Sequence, residues 1–109
     1  MSLNTSKLAE DMLNAFKQVL SKKWPEIGIY AESETKNLAE SLAKIEKLKL
    51  AGKINEEQAK LQLGIQKNAA KTVFLTIKGL EELAVEQALN AAFKAVKDAV
   101  NAAVGFVLL

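Results

Sequence analysis

The sequence predicts an all-α protein: a long helical hairpin whose first arm is broken at Trp24-Pro25, assembling into a dimeric helical bundle. Three observations carry this reading. Apolar residues recur three or four apart in every segment, a spacing that helices produce and strands do not. One Pro and five Gly stand against a chain dominated by Ala, Leu, Lys and Glu, the composition of helical bundles. From Asn55 to Leu109 there is no Pro and no cluster of turn residues. At 109 residues the chain is expected to form a single domain, 1–109.

The first helix is expected over about 5–23. Asn4, Thr5 and Ser6 are plausible caps, and Leu8, Met12, Phe16, Val19 and Leu20 form its apolar face. Glu10 and Asp11 near its start and Lys22 and Lys23 at its end suit the helix dipole. Pro25 disfavours helical geometry at Trp24 and fits the first turn of a new helix. The first two helices are therefore read as almost collinear, with a kink between them that Trp24 locks.

The second helix covers about 25–51, with a seam of Ile27, Ala31, Glu34, Leu38, Leu42, Ile45 and Leu48. Glu34 is the polar interruption, read as a solvated carboxylate near Lys71. Ala51-Gly52-Lys53-Ile54-Asn55 is the clearest turn: Gly suits a left-handed helix end, and Asn55 with Gln58 forms a capping box for the next helix. So short a loop makes its two helices antiparallel neighbours.

The third helix is read as continuous over about 55–107, kinked at Gly79, because the apolar row passes through Gly79 unshifted and no Ser, Thr, Asp or Asn follows to cap a new helix. Such a helix would be roughly 80 Å long. The alternative, a turn at Gly79, gives a compact monomeric four-helix bundle. In the hairpin register Met12, Phe16 and Leu20 oppose the small row Ala84, Ala88, Ala91, Ala95 and Ala99, large against small. That leaves a second row, Val85, Leu89, Ala92, Val96, Val100, Ala103 and Val107, on the far side of a helix that is apolar over roughly two thirds of its wheel. This row is the expected self-association surface, and the expected partner is a second copy of the chain.

Composition narrows the function. With no Cys and no His, neither a disulfide scaffold nor a His/Cys zinc site can form, and no Glu-x-x-His di-iron motif exists. No Arg and a net charge of +2 argue against nucleic acid. Glu56 with Glu57, and Glu81, Glu82 and Glu86, are neighbouring carboxylates, but no His, Arg clamp or Gly-rich phosphate loop accompanies them. No catalytic, cofactor or metal residue is assigned, and no enzymatic activity is expected. Lys60, Lys67, Lys71 and Lys78, spaced 7, 4 and 7, share one helix face and could dock an acidic protein or anionic lipid.

Met1 to Asp11 lacks a signal-peptide core, and the charge-free end Ala99 to Leu109 is too short to cross a bilayer, so a cytoplasmic protein is expected. The function expected is a non-enzymatic structural or protein-interaction module that self-associates through the C-terminal helix face. The alternative is a peripheral membrane or lipid-surface protein using wide amphipathic helices and the lysine row.

Overall fold

The computed structural model describes residues 3–77 and 79–109, and all regular structure among them is helical. The described residues form four α-helices: α1 (Thr5–Val19), α2 (Trp24–Leu50), α3 (Glu56–Leu75) and α4 (Glu82–Val104), with a 3-10 turn, Ser21–Lys23, between the first two. The side chain of Asn4 accepts the Lys7 amide at 3.0 Å and so caps α1. Pro25 lies in the first turn of α2, where its missing N–H costs nothing. The capping box expected at α3 is present, with Gln58 N–H donating to Asn55 Oδ1 at 2.8 Å and Asn55 N–H to Gln58 Oε1 at 2.9 Å.

Each helix runs antiparallel to the one before it. Leu3 N–H donates to Glu46 Oε1 at 2.8 Å, which places the start of α1 at the end of α2. Lys71 at the end of α3 meets Glu82 and Glu86 at the start of α4. Lys49 Nζ lies 5.6 Å from the centre of the Phe106 ring, joining the ends of α2 and α4. The first and third turns share the other end of the bundle, where Lys23 lies beside Gly79. Around the bundle α1 packs on α2 and α4, and α3 on the same two. Phe16 of α1 and Phe74 of α3 meet across the core with ring centroids 4.7 Å apart.

Two features of the predicted hairpin give way. The first arm is not collinear: the 3-10 turn after Leu20 reverses the chain, so that α1 folds along α2. The long third helix is also divided. It ends at Leu75 and α4 starts at Glu82, with Gly79 between them at φ +90°. Only glycine adopts that left-handed geometry readily, and it lets the chain turn back. The N-cap of α4 is Glu81, which makes no side-chain cap bond; a strong capping residue was not needed. The resulting body measures 42 × 22 × 18 Å. Its radius of gyration of 13.6 Å is close to the roughly 13 Å expected of a compact chain of this length.

The break also resets the helical phase. In α4 the residues inside are Val85, Ala88, Leu89, Ala92, Phe93, Val96, Val100 and Val104. Ala91 is only half-buried, and Ala95 and Ala99 are exposed, so the small row expected against α1 lies mostly outside. In α2, Thr35 rather than Glu34 turns inward, its hydroxyl donating to the Ala31 carbonyl at 2.8 Å.

Candidate interaction surface

The row assigned to self-association is largely core. Val85, Leu89, Ala92, Val96 and Val100 are buried within the single chain, Ala103 is half-buried, and only Val107 is exposed. The large apolar demand of α4 is met by α1, α2 and α3 together. The apolar end is covered as well: Asn101 Oδ1 accepts the amides of Leu108 and Leu109, both at 2.9 Å, and Leu108 is buried.

The lysine row also works inside the chain. Lys71 Nζ reaches Glu82 Oε1 at 2.8 Å and Glu86 Oε1 at 2.7 Å. The hydrogen bonds to Glu82 and then to Glu86 raise the Lys71 pKa above its ordinary value, and the hydrogen bond from Lys71 lowers that of Glu86. Glu34 has no part in this clasp; burial raises its carboxyl pKa. Lys67 Nζ donates to Asn90 Oδ1 at 3.0 Å and sits 5.7 Å from the centre of the Phe93 ring. Lys60 is exposed, and Lys78 lies outside the described residues. The expected strip is therefore chiefly a clasp from α3 to α4. It borders a cleft of about 650 Å³ between these helices and the C-terminal tail, floored by Leu63, Phe93 and Leu108 and edged by Lys94 and Lys97.

Glu46, unremarked in the sequence pattern, is 1% exposed. Its Oε1 holds the Leu3 amide, and its Oε2 has no hydrogen bond among the described residues. It fastens the start of α1 to the end of α2, and nothing around it assembles a reactive group. Among the described residues no three His, Cys, Asp or Glu side chains form a cluster able to hold a metal ion. No helix among them is long and apolar enough to cross a membrane.

The surface that stands out is the outer side of α3. Leu61 is 68% exposed, Ile65 64% and Leu75 40%. Asn68, Ala69 and Thr72 lie exposed among them. Between Leu61 and Thr76 the only charged residues are Lys67 and Lys71, and both ammonium groups are held against α4. The outer sides of the other long helices are different. α2 exposes Ile29 and Tyr30 near its start and Leu50 at its end, with Glu32, Lys36, Glu40, Lys44 and Lys47 between them, and α4 exposes Leu83 in its first turn and then Lys94, Lys97 and Asp98. The signal for α3 was available in the sequence, since Leu61 and Ile65 stand opposite Ala59, Leu63 and Ala70 on the wheel, but a single apolar row through the whole segment masked it. No protein-family model, curated protein or solved structure matches the chain.

Proposed function

We propose that the chain is a non-enzymatic helical interaction module that self-associates, and that its docking surface is the outer face of α3 rather than the C-terminal helix. The observation that carries this is an exposed, uncharged face built on Leu61 and Ile65 in the middle of α3, on a bundle whose other long helices expose large apolar residues only near their ends and mixed charge between. Apolar residues exposed singly are ordinary on a monomer, whereas Leu61 and Ile65, one turn apart with Leu75 on the same face, form an apolar strip of the kind at which another surface docks. The lipid-surface alternative has less support, because the wide apolar face of α4 lies in the core and Lys67 and Lys71 are engaged with α4.

Sedimentation equilibrium over a range of concentrations tests the proposal. The apparent mass is expected to rise from 11.8 kDa toward twice that value as protein is concentrated. Ile65→Lys should hold it at the monomer mass with the circular dichroism unchanged, because the residue is exposed in the single chain. A parent chain that stays at 11.8 kDa up to about millimolar concentration, or an Ile65→Lys variant that associates equally well, refutes it.

A further inference from the structure

We infer that α3 pairs with α3 of a second copy as a short parallel two-stranded coiled coil, with Asn68 facing its own counterpart across the two-fold axis. This rests on the self-association proposed above and specifies its geometry.

The exposed residues Leu61, Ile65, Asn68, Thr72 and Leu75 are spaced 4, 3, 4 and 3. That is a heptad seam, confined to an arc of roughly 80°. Its a positions are Ile65 and Thr72, both β-branched, and its d positions at either end are Leu61 and Leu75. β-Branched residues at a with Leu at d favour two parallel strands. The middle d position is Asn68, the one amide of the seam, between Ile65 and Thr72. A single Asn at an a position fixes register and strand number at some cost in affinity. Asn68 at d sets the register by the same requirement, that only one alignment lets the two amides satisfy each other. The Thr72 hydroxyl already donates to the Asn68 carbonyl at 2.9 Å, so this second polar residue brings no unmet donor to the seam.

Charge selects a second copy as the occupant. In a parallel two-fold pair each seam residue meets itself, so any charge would meet a like charge. The exposed faces of α2 and α4 would suffer that, and the α3 seam carries no charge to suffer it. The flanking positions agree. Gly64 and Ala69 border Asn68 on either side, and small residues there let two backbones approach. A Cβ added at Gly64 would meet nothing within 4 Å, so the packing of this chain alone gives no reason for a glycine, the weakest ordinary helix former, in mid-helix. A second helix against the seam does.

The size of the contact fits a dimer that dissociates on dilution. From Leu61 to Leu75 the seam is about 21 Å long, which covers on the order of 400 Å² on each copy and about 800 Å² in all. That is the size of a weak, transient contact.

The chain has no cysteine, so single-cysteine variants report contacts cleanly. Leu61→Cys and Leu75→Cys should each form its own disulfide-linked dimer under mild oxidation at about half-millimolar protein. A mixture of the two should yield 61–61 and 75–75 links and little 61–75. Dominant 61–75 links would mean antiparallel pairing, overturning this inference while leaving self-association through α3 intact. No link at either position, together with a parent that sediments as a monomer at the same concentration, overturns both. Asn68→Asp adds a second readout. The residue is exposed in the single chain, so the fold should be unchanged, but two carboxylates would meet on the axis and the association constant should fall at least tenfold at neutral pH. An Asn68→Asp variant that associates as tightly as the parent would overturn the central placement of residue 68.

Discussion

α3 and α4 are the two halves of one uninterrupted pattern in the sequence, and they handle apolar surface in opposite ways. α4 is the more apolar, and the bundle buries nearly all of its large side chains. α3 is weakly amphipathic, and it leaves Leu61 and Ile65 mostly in water. The amount of apolar surface on a helix therefore does not say whether it seeks a partner. What matters is how much of that surface the chain's own helices reach. α4 has three neighbours, and α3 is held from one side by α2 and α4 with its far side bare.

The largest expected effect is a direct attack on that comparison. Leu89 is 1% exposed, whereas Ala95, two turns further along α4, is exposed. Leu89→Glu should cost several kcal/mol and leave the chain unfolded or barely folded, because its carboxylate would be buried without a partner. Ala95→Glu should stay within about 0.5 kcal/mol of the parent. Thermal melts of the two variants check this. Similar melting points would mean that the buried and exposed sides of α4 are assigned the wrong way round.

The glycines sharpen the comparison at about a quarter of that size. Gly79 has φ +90°, and a Cβ there would also approach Lys23 Nζ to 3.0 Å, the movable end of a flexible side chain. Gly79→Ala should therefore destabilise the bundle by about 1–2 kcal/mol, mainly through backbone strain. Gly64 lies in the interior of α3 with open space around it, so Gly64→Ala should stabilise the monomer by up to about 1 kcal/mol. Urea denaturation at low protein concentration measures both. Equal and opposite shifts are not required, but a stabilising Gly79→Ala would show that the turn between α3 and α4 does not depend on left-handed geometry.

Local chemistry made much of this fold readable in advance. The capping box at Asn55 and Gln58, the turn at Gly52 and the inward rows of α1 and α2 each depend on residues within one or two turns of one another. The break at Gly79 was harder because its evidence is tertiary. The apolar spacing runs on through Ile77 and Leu80, and both side chains do pack against the core, so the row looks unbroken while the backbone has turned. Once that turn is missed, the apolar arc of α4 is divided wrongly between inside and outside, although Ala88 is buried as expected. That is why Val85, Leu89 and Val96 looked like a surface and Ala95 looked like core. The role of the lysines was hidden for the same reason: Lys71 can reach Glu82 and Glu86 only after the chain has doubled back.

That clasp gives the smallest expected effect, and pH separates its parts. The folded state lowers the Glu86 pKa below its ordinary 4.5, so this contribution to stability is present above that value and disappears as pH falls through the lowered one. Lys71 is raised above its ordinary 10.5, so its contribution is present below that value and is lost as pH rises through the raised one. Between the two ordinary values the clasp is fully charged. Because these charges face solvent, the gain is small and is screened by salt. Lys71→Met keeps the aliphatic stem of the side chain and removes only the ammonium. Its melting point should fall slightly below that of the parent across the neutral range, with the gap narrowing in strong acid, above the raised Lys71 pKa and in molar salt. A gap that persists unchanged in acid and in high salt would mean that Lys71 holds α3 to α4 through packing rather than charge. The ammonium would then be free to serve the outer face of α3, and that face would no longer count as uncharged.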